Sequence, residues 1–176
     1  YKLYKMRVMA QRWRLVEAST FPDSSRKILQ HSIRPYRFLS EVEQKRLEKK
    51  IIYFLKYKNF VSIGELEITE SMKLIIAAQA CLLIINLDVG VYPTLTNIYV
   101  SADTFIEKDN FIDSQTMLPA HVPRLGESWA NGPIILSWNS IKSGVENWKD
   151  GQNVVLHEFT HQLDNLEGAM NGLPPV

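Results

Sequence analysis

A single cysteine, Cys81, stands in this chain of 176 residues. No intrachain disulfide can therefore brace the fold, and a thiol inside the apolar run Leu74 to Leu87 suits a small core side chain better than a nucleophile. That run contains Gln79 and Asn86 and meets Asp88 after about fourteen residues, short of the roughly twenty that a bilayer span requires, and reads as a buried helix. Net charge is also nearly absent. With 20 Lys and Arg against 19 Asp and Glu, no single-signed field favours nucleic acid over other partners. Repeats and low-complexity tracts are missing too. What remains is a composition 45% apolar and 10% aromatic, enough to bury one ordinary core in one domain.

The first fourteen residues hold Lys2, Lys5, Arg7, Arg12 and Arg14 and no acid. Such a stretch reads most simply as a solvated start. A basic run of this kind is also common just past a cytoplasmic-side membrane anchor, which would lie upstream of Tyr1. Both ends read as cut, and the expected organisation is a basic segment over residues 1–25 followed by a C-terminally incomplete domain over 26–176.

Pro22 and Pro35 break a wrapping segment that has room for a short helix near Arg26 to Ser32. Ser40 and Glu43 have capping-box spacing, and Leu47, Ile51, Phe54 and Leu55 continue one helical face to about Lys58. Phe60 to Ile63 and Leu66 to Ile68 flank Gly64 as two extended pieces or an irregular hairpin. Thr69 caps the next helix, apolar nearly all round to about Leu87, the pattern of an element covered by its neighbours. Asn97 to Ser101 and Ile134 to Trp138 are expected strands, separated by a long polar connection. Ser140 to Trp148 suits a short helix, and Gly151 precedes the last one. Helices flank a few strands with no repeating βαβ rhythm, which predicts an α+β fold.

The last helix carries the chemistry. Asn153 to Asp164 contains His157-Glu158-Phe159-Thr160-His161, an H-E-x-x-H motif within an apolar-periodic segment. At about 100° per residue the two histidines lie some 40° apart, one turn along the same face, where two imidazole nitrogens can converge on one ion. Zinc suits such ligands, and a catalytic zinc keeps a position for water. Glu158 is turned away from that face yet within reach of the water, as a general base must be. With four histidines in the chain, chance alone would produce the motif with a probability of roughly one in a hundred. Val154, Val155, Leu156, Phe159 and Leu163 also place the polar groups in what reads as a half-buried helix, where they need partners or a metal.

A third ligand is harder to find. The longer H-E-x-x-H-x-x-G-x-x-H pattern would put a glycine and a histidine where Asp164 and Glu167 stand. Asp164 shares the histidines' face but sits a turn beyond His161, about 7 Å along the axis from the expected metal position, beyond reach of a short side chain, and is better suited to a supporting role held by a donor. Glu167 reads as a solvated loop residue, and His121 as a lone loop histidine. A glutamate beyond Val176 is the expected third ligand.

The chain resembles the Mlc titration factor A family of zinc metallopeptidases from about Arg26 to Val176. The likeness is carried by Leu66 to Thr69, Ile76 to Leu83, Gly126 to Trp129, Gly132 to Trp138, and Asn153 to Asp164 with Gly168, Asn171, Gly172 and Pro174. The resemblance implies a gluzincin-type site with a glutamate from a later helix as third ligand, and a zincin-like fold similar to the catalytic domain of anthrax lethal factor. It implies aminopeptidase-type activity on peptides and, in some bacterial members, binding to the glucose repressor Mlc, hence a cytoplasmic setting. His157, Glu158 and His161 are the site residues that carry over.

Two functions from different classes stand open. One is a zinc peptidase; the other is a regulatory module that sequesters a transcriptional repressor, its zinc structural or vestigial. A structural zinc would normally have four protein ligands and no need of a glutamate between the histidines, which favours the peptidase. Ile134 to Trp138 has two readings as well: an edge strand along which a peptide pairs, or a core strand filled by Trp138.

Overall fold

The computed structural model describes residues 2–87, 90–103, 133–149 and 151–164. Among these residues six α-helices and one short 3₁₀ turn surround a three-stranded parallel sheet, an α+β arrangement. In chain order these are α1 (Lys2–Glu17), α2 (Asp23–Ser32), the 3₁₀ turn Arg34–Phe38, α3 (Glu41–Tyr57), β1 (Asn59–Ser62), α4 (Glu70–Leu83), β2 (Asn97–Ser101), β3 (Ile134–Ser137), α5 (Trp138–Glu146) and α6 (Val154–Asp164). None of the described helices is long and apolar enough to cross a membrane.

The caps expected for α3 and α4 are both present. Ser40 Oγ accepts from the Glu43 amide at 3.4 Å while the Ser40 amide donates to Glu43 Oε2 at 2.8 Å, satisfying two amides that a helix start leaves without partners. At α4, Thr69 Oγ1 accepts from the Met72 amide at 3.2 Å, and the Met72 sulfur takes the place of the reciprocal carboxylate. From Leu74 to Cys81 every residue of α4 is buried. Helices α2, α3 and α6 pack around it, so the near-continuous apolar run is the helix the others enclose. It ends at Leu83, four residues short of the expected Leu87, and the chain then passes through turns.

Of the two arrangements expected around Gly64, the irregular hairpin is not formed. β1 pairs in parallel with β2, Phe60 opposite Ile98 and Val61 opposite Tyr99, and β2 in turn pairs in parallel with β3. Leu66 and Ile68 lie outside the sheet and pack on the core instead. Four β-prone residues show strand character but carry no information on their partner, and here that partner arrives only after α4 has crossed over. The third strand also stops earlier than expected: Ser137 Oγ accepts from the Ser140 amide at 3.2 Å, so Trp138 opens α5 rather than ending β3. The basic start of the chain is helical, and α1 joins the core through Val16, fully buried, and Trp13, whose ring lies 4.9 Å from that of Tyr53. Helix α2 begins at Asp23, slightly ahead of the expected Arg26.

Two polar groups hold irregular chain in place. Buried Glu48 accepts from Arg26 Nε at 2.7 Å and from the Tyr36 hydroxyl at 2.8 Å, joining α2 and the 3₁₀ turn to α3. Lys58 Nζ, also buried, donates to the carbonyls of Tyr92 at 2.5 Å and Leu95 at 2.7 Å. Burial pushes the Lys58 ammonium down to about 8 from an ordinary value of 10.5, and the Arg12 guanidinium acts in the same direction. A neutral amine keeps two N–H groups, one for each carbonyl, so it meets both acceptors without the cost of a buried charge.

In the unfolded chain Lys58 keeps its proton to about pH 10.5, whereas folded it gives the proton up near 8. Between these values the unfolded state binds more protons, so stability attributable to Lys58 rises with pH across this window. Denaturant unfolding of the parent and Lys58→Met at pH 7.5, 9 and 10.5 should show the difference between them growing by about 2–3 kcal/mol from the lowest to the highest pH. A difference independent of pH would mean that the buried amine does not titrate in this range.

Candidate metal centre

Helix α6 has a strict inside and outside. Val155 and Phe159 are fully buried and Leu163 nearly so. The Phe159 ring meets Tyr92 edge-on at 4.7 Å and Phe54 at 5.7 Å, a cluster that fixes the helix about its own axis as well as burying area. With that stripe turned to the core, the helical period directs His157 and His161 to the exposed side and leaves Glu158 half-buried between the two faces.

The structure brings the two histidines together. Their Nε2 atoms lie 3.2 Å apart, and the rings stand nearly perpendicular at 87° with centroids at 4.6 Å. Two nitrogens bound at 2.0–2.1 Å to one tetrahedral ion are separated by about 3.3–3.4 Å, so the pair fits zinc with little movement. Both imidazoles are exposed, contrary to the half-buried setting expected from the apolar flanks. The flanking residues cover the opposite face of the helix, and what marks the pair is its convergence on one point rather than its burial.

Asp164 closes α6, half-buried and one turn past His161. Among the described residues no group of three His, Cys, Asp or Glu side chains is placed to hold a metal, so Asp164 does not join the two histidines. His121, Glu167 and the stretch Gly126 to Trp129 lie outside the described residues. Ile134 and Leu136 of β3 are buried and the strand packs against α6, with Trp138 half-buried on the core beside it.

The start of α6 is held from two sides, by residues that the motif does not include. Asn153 caps the helix: its Oδ1 accepts from the Leu156 amide at 3.0 Å and its carbonyl from the His157 amide at 2.9 Å. Its Nδ2 donates at 2.6 Å to Oε1 of Gln79, a residue 4% exposed on the central helix. The sequence does carry signals for both: an asparagine just ahead of an apolar-periodic segment is a cap signal, and a lone amide in an apolar helix signals a buried partner. On the other side Gly144 of α5 comes so near that a Cβ there would stand 3.0 Å from the Gln152 carbonyl oxygen and 3.4 Å from Asn153 Cα. An open cavity of about 300 Å³ reaches from this junction to the flank of His157, with Arg34, Trp148, Leu156 and Thr160 among its walls.

The chain has clear relatives among known proteins. An uncharacterized protein of Synechocystis sp. is 41% identical over 143 residues, covering 80% of this chain and 52% of that protein. Proteins named Mlc titration factor A from Klebsiella pneumoniae subsp. pneumoniae and Pectobacterium atrosepticum are 30% and 28% identical over 140 residues, in each case 78% of this chain and 52% of the relative. The chain thus spans about half the length of the curated relatives it matches. The model of the glucose-regulated metallo-peptidase M90 family matches residues 7–176, nearly the whole sequence, and the chain belongs to that family.

Proposed function

We propose that this chain carries the metal-binding and proton-transfer groups of a zinc-dependent peptidase, with His157 and His161 as two of three metal ligands and Glu158 as general base. The observation that carries the reading is the 3.2 Å separation of the two Nε2 atoms on the open face of a helix whose other face is locked into the core. A bound zinc supplies Lewis acidity toward a scissile carbonyl and lowers the pKa of water. Glu158 follows His157 by one residue, so its carboxylate lies beside the histidine face without belonging to it. From there an Oε takes the proton of the attacking water and returns it to the departing amine. The imidazoles must present unprotonated Nε2 atoms, which leaves each Nδ1 to carry the ring proton. A glutamate beyond Val176 completes the ligand set in this reading, and an aminopeptidase-type preference for peptide substrates goes with it. The setting in this reading is cytoplasmic.

The names of the relatives favour a second reading. Titration of the repressor Mlc is a binding activity, and a chain 28–30% identical to such proteins over 78% of its length is a candidate to sequester a similar repressor. A peptidase site and a repressor-binding surface can coexist in one protein, so the decisive experiments concern the site.

In the full-length protein, zinc should bind at about one per chain, because two helical histidines and a distal carboxylate make a three-ligand catalytic site. Metal analysis of His157→Ala and His161→Ala should show that stoichiometric zinc is lost; retention at parental affinity in both variants would remove these residues from the ligand set.

Glu158→Gln keeps size and hydrogen-bonding capacity but cannot accept the proton. Zinc content should survive, while peptide cleavage should fall by about 10²- to 10⁴-fold, mainly in kcat. Unchanged cleavage would exclude Glu158 as the base. If neither protein cleaved any peptide while both bound a repressor, the binding module would replace the peptidase.

A further inference from the structure

Gln79 is an anomaly of the fold. It lies within a run of α4, Leu74 to Cys81, in which every residue is buried and every other side chain is apolar, and a carboxamide there costs stability unless it is hydrogen-bonded. Among the described residues its Nε2 makes only a long contact, 3.4 Å to the Ile75 carbonyl of its own helix. The short bond is the one its Oε1 accepts from Asn153 Nδ2 at 2.6 Å, across 74 residues of sequence. Asn153 in turn uses its other side-chain atom on the Leu156 amide and its carbonyl on the His157 amide. An unbroken path of three groups therefore runs from the buried helix to the backbone of a histidine in the H-E-x-x-H motif.

We propose that Gln79 is a positioning residue for the metal-binding helix: through Asn153 it fixes the first turn of α6 and so the spacing at which His157 and His161 present their Nε2 atoms. This rests on the reading of those histidines as metal ligands. The aromatic cluster at Phe159 sets which way α6 faces, but it grips the middle of the helix. A helix start with its amides unpaired frays, and the first turn is where His157 takes its amide bond. Groups that orient metal ligands without touching the metal typically alter affinity by about 10- to 100-fold when removed.

Complementarity of the two carboxamides gives a test that shape alone cannot satisfy, because Glu replaces Gln and Asp replaces Asn with almost no change in volume. In Gln79→Glu an acceptor still faces Asn153 Nδ2. In Asn153→Asp the Gln79 amide can turn over and donate to the new carboxylate, which also still caps Leu156. Each single variant of the full-length protein should therefore keep near-parental zinc affinity once folded, although Gln79→Glu lowers overall stability because it buries an ionisable carboxyl. Two adjoining buried carboxyl groups can share one proton, so the double variant is followed upward from pH 8; once that proton is lost two acceptors face each other, and zinc affinity in chelator competition should fall by about 10- to 100-fold relative to the parent at the same pH. Cobalt(II) substitution should show an altered visible spectrum, and amide exchange at Leu156 and His157 should accelerate in the metal-free protein. Gln79→Met, apolar like its neighbours, should reproduce this loss and provides the decision if the double variant does not fold.

Parental zinc affinity and parental exchange at Leu156 and His157 in the folded double variant throughout that pH series, or in Gln79→Met, would overturn the proposal. Equal losses in both single variants and the double would also overturn it, since packing rather than hydrogen-bond pairing would then be responsible. If the parent itself took up no metal, the peptidase reading would fail, whereas the exchange rates would still decide whether Gln79 governs the start of α6.

Discussion

The ring of Phe159, wedged between Tyr92 and Phe54, is the contact on which the arrangement of the site depends. A helix of eleven residues is too short to hold itself together in water, so α6 exists because its apolar stripe is buried. Phe159 lies between the two histidines in sequence and on the opposite side of the helix. Packing it inward directs the imidazoles outward, which makes core packing and site geometry consequences of one choice of helix rotation. Tyr92 is itself pinned: its hydroxyl donates to the Ala80 carbonyl at 2.6 Å, and its own carbonyl accepts from Lys58. The irregular segment around it thus becomes a fixed wall against which α6 can register.

Features governed by neighbours in sequence are legible in the sequence. Ser40 with Glu43, Thr69 ahead of an apolar run, and His157 with His161 each involve residues three or four apart, and their geometry follows from the helical period alone. The α+β class follows from the order of the elements. Features set by distant partners are not legible in this way. The β-prone residues at 60–63 point to extended chain, but their pairing with β2 depends on where α4 delivers Asn97 to Ser101. Trp138 has the character of a strand residue because aromatic residues favour sheets, and the cap at Ser137 overrides that preference. The apolar residues of α6 are plain in the sequence, yet their effect on the histidines is the reverse of the expected one, since residues adjacent in sequence fall on different faces of a helix. Gln79 is visible as a polar interruption, but its partner lies 74 positions away.

The parallel pairing of β1 with β2, and of β2 with β3, has a bearing on how the protein comes into being. Parallel neighbours are never local: Phe60 must wait for Ile98, and Ile98 for Ile134. Contacts of high sequence separation form late, because a long loop must close before they return any stability. Helix α6 comes after all three strands and leans on α4, on the Tyr92 segment and on β3, so during synthesis its supports are built before it emerges. A nascent chain that exposes His157 and His161 early has no framework to keep them one helical turn apart. The fold thereby delays the convergence of the two imidazoles until the surface that orients them is complete.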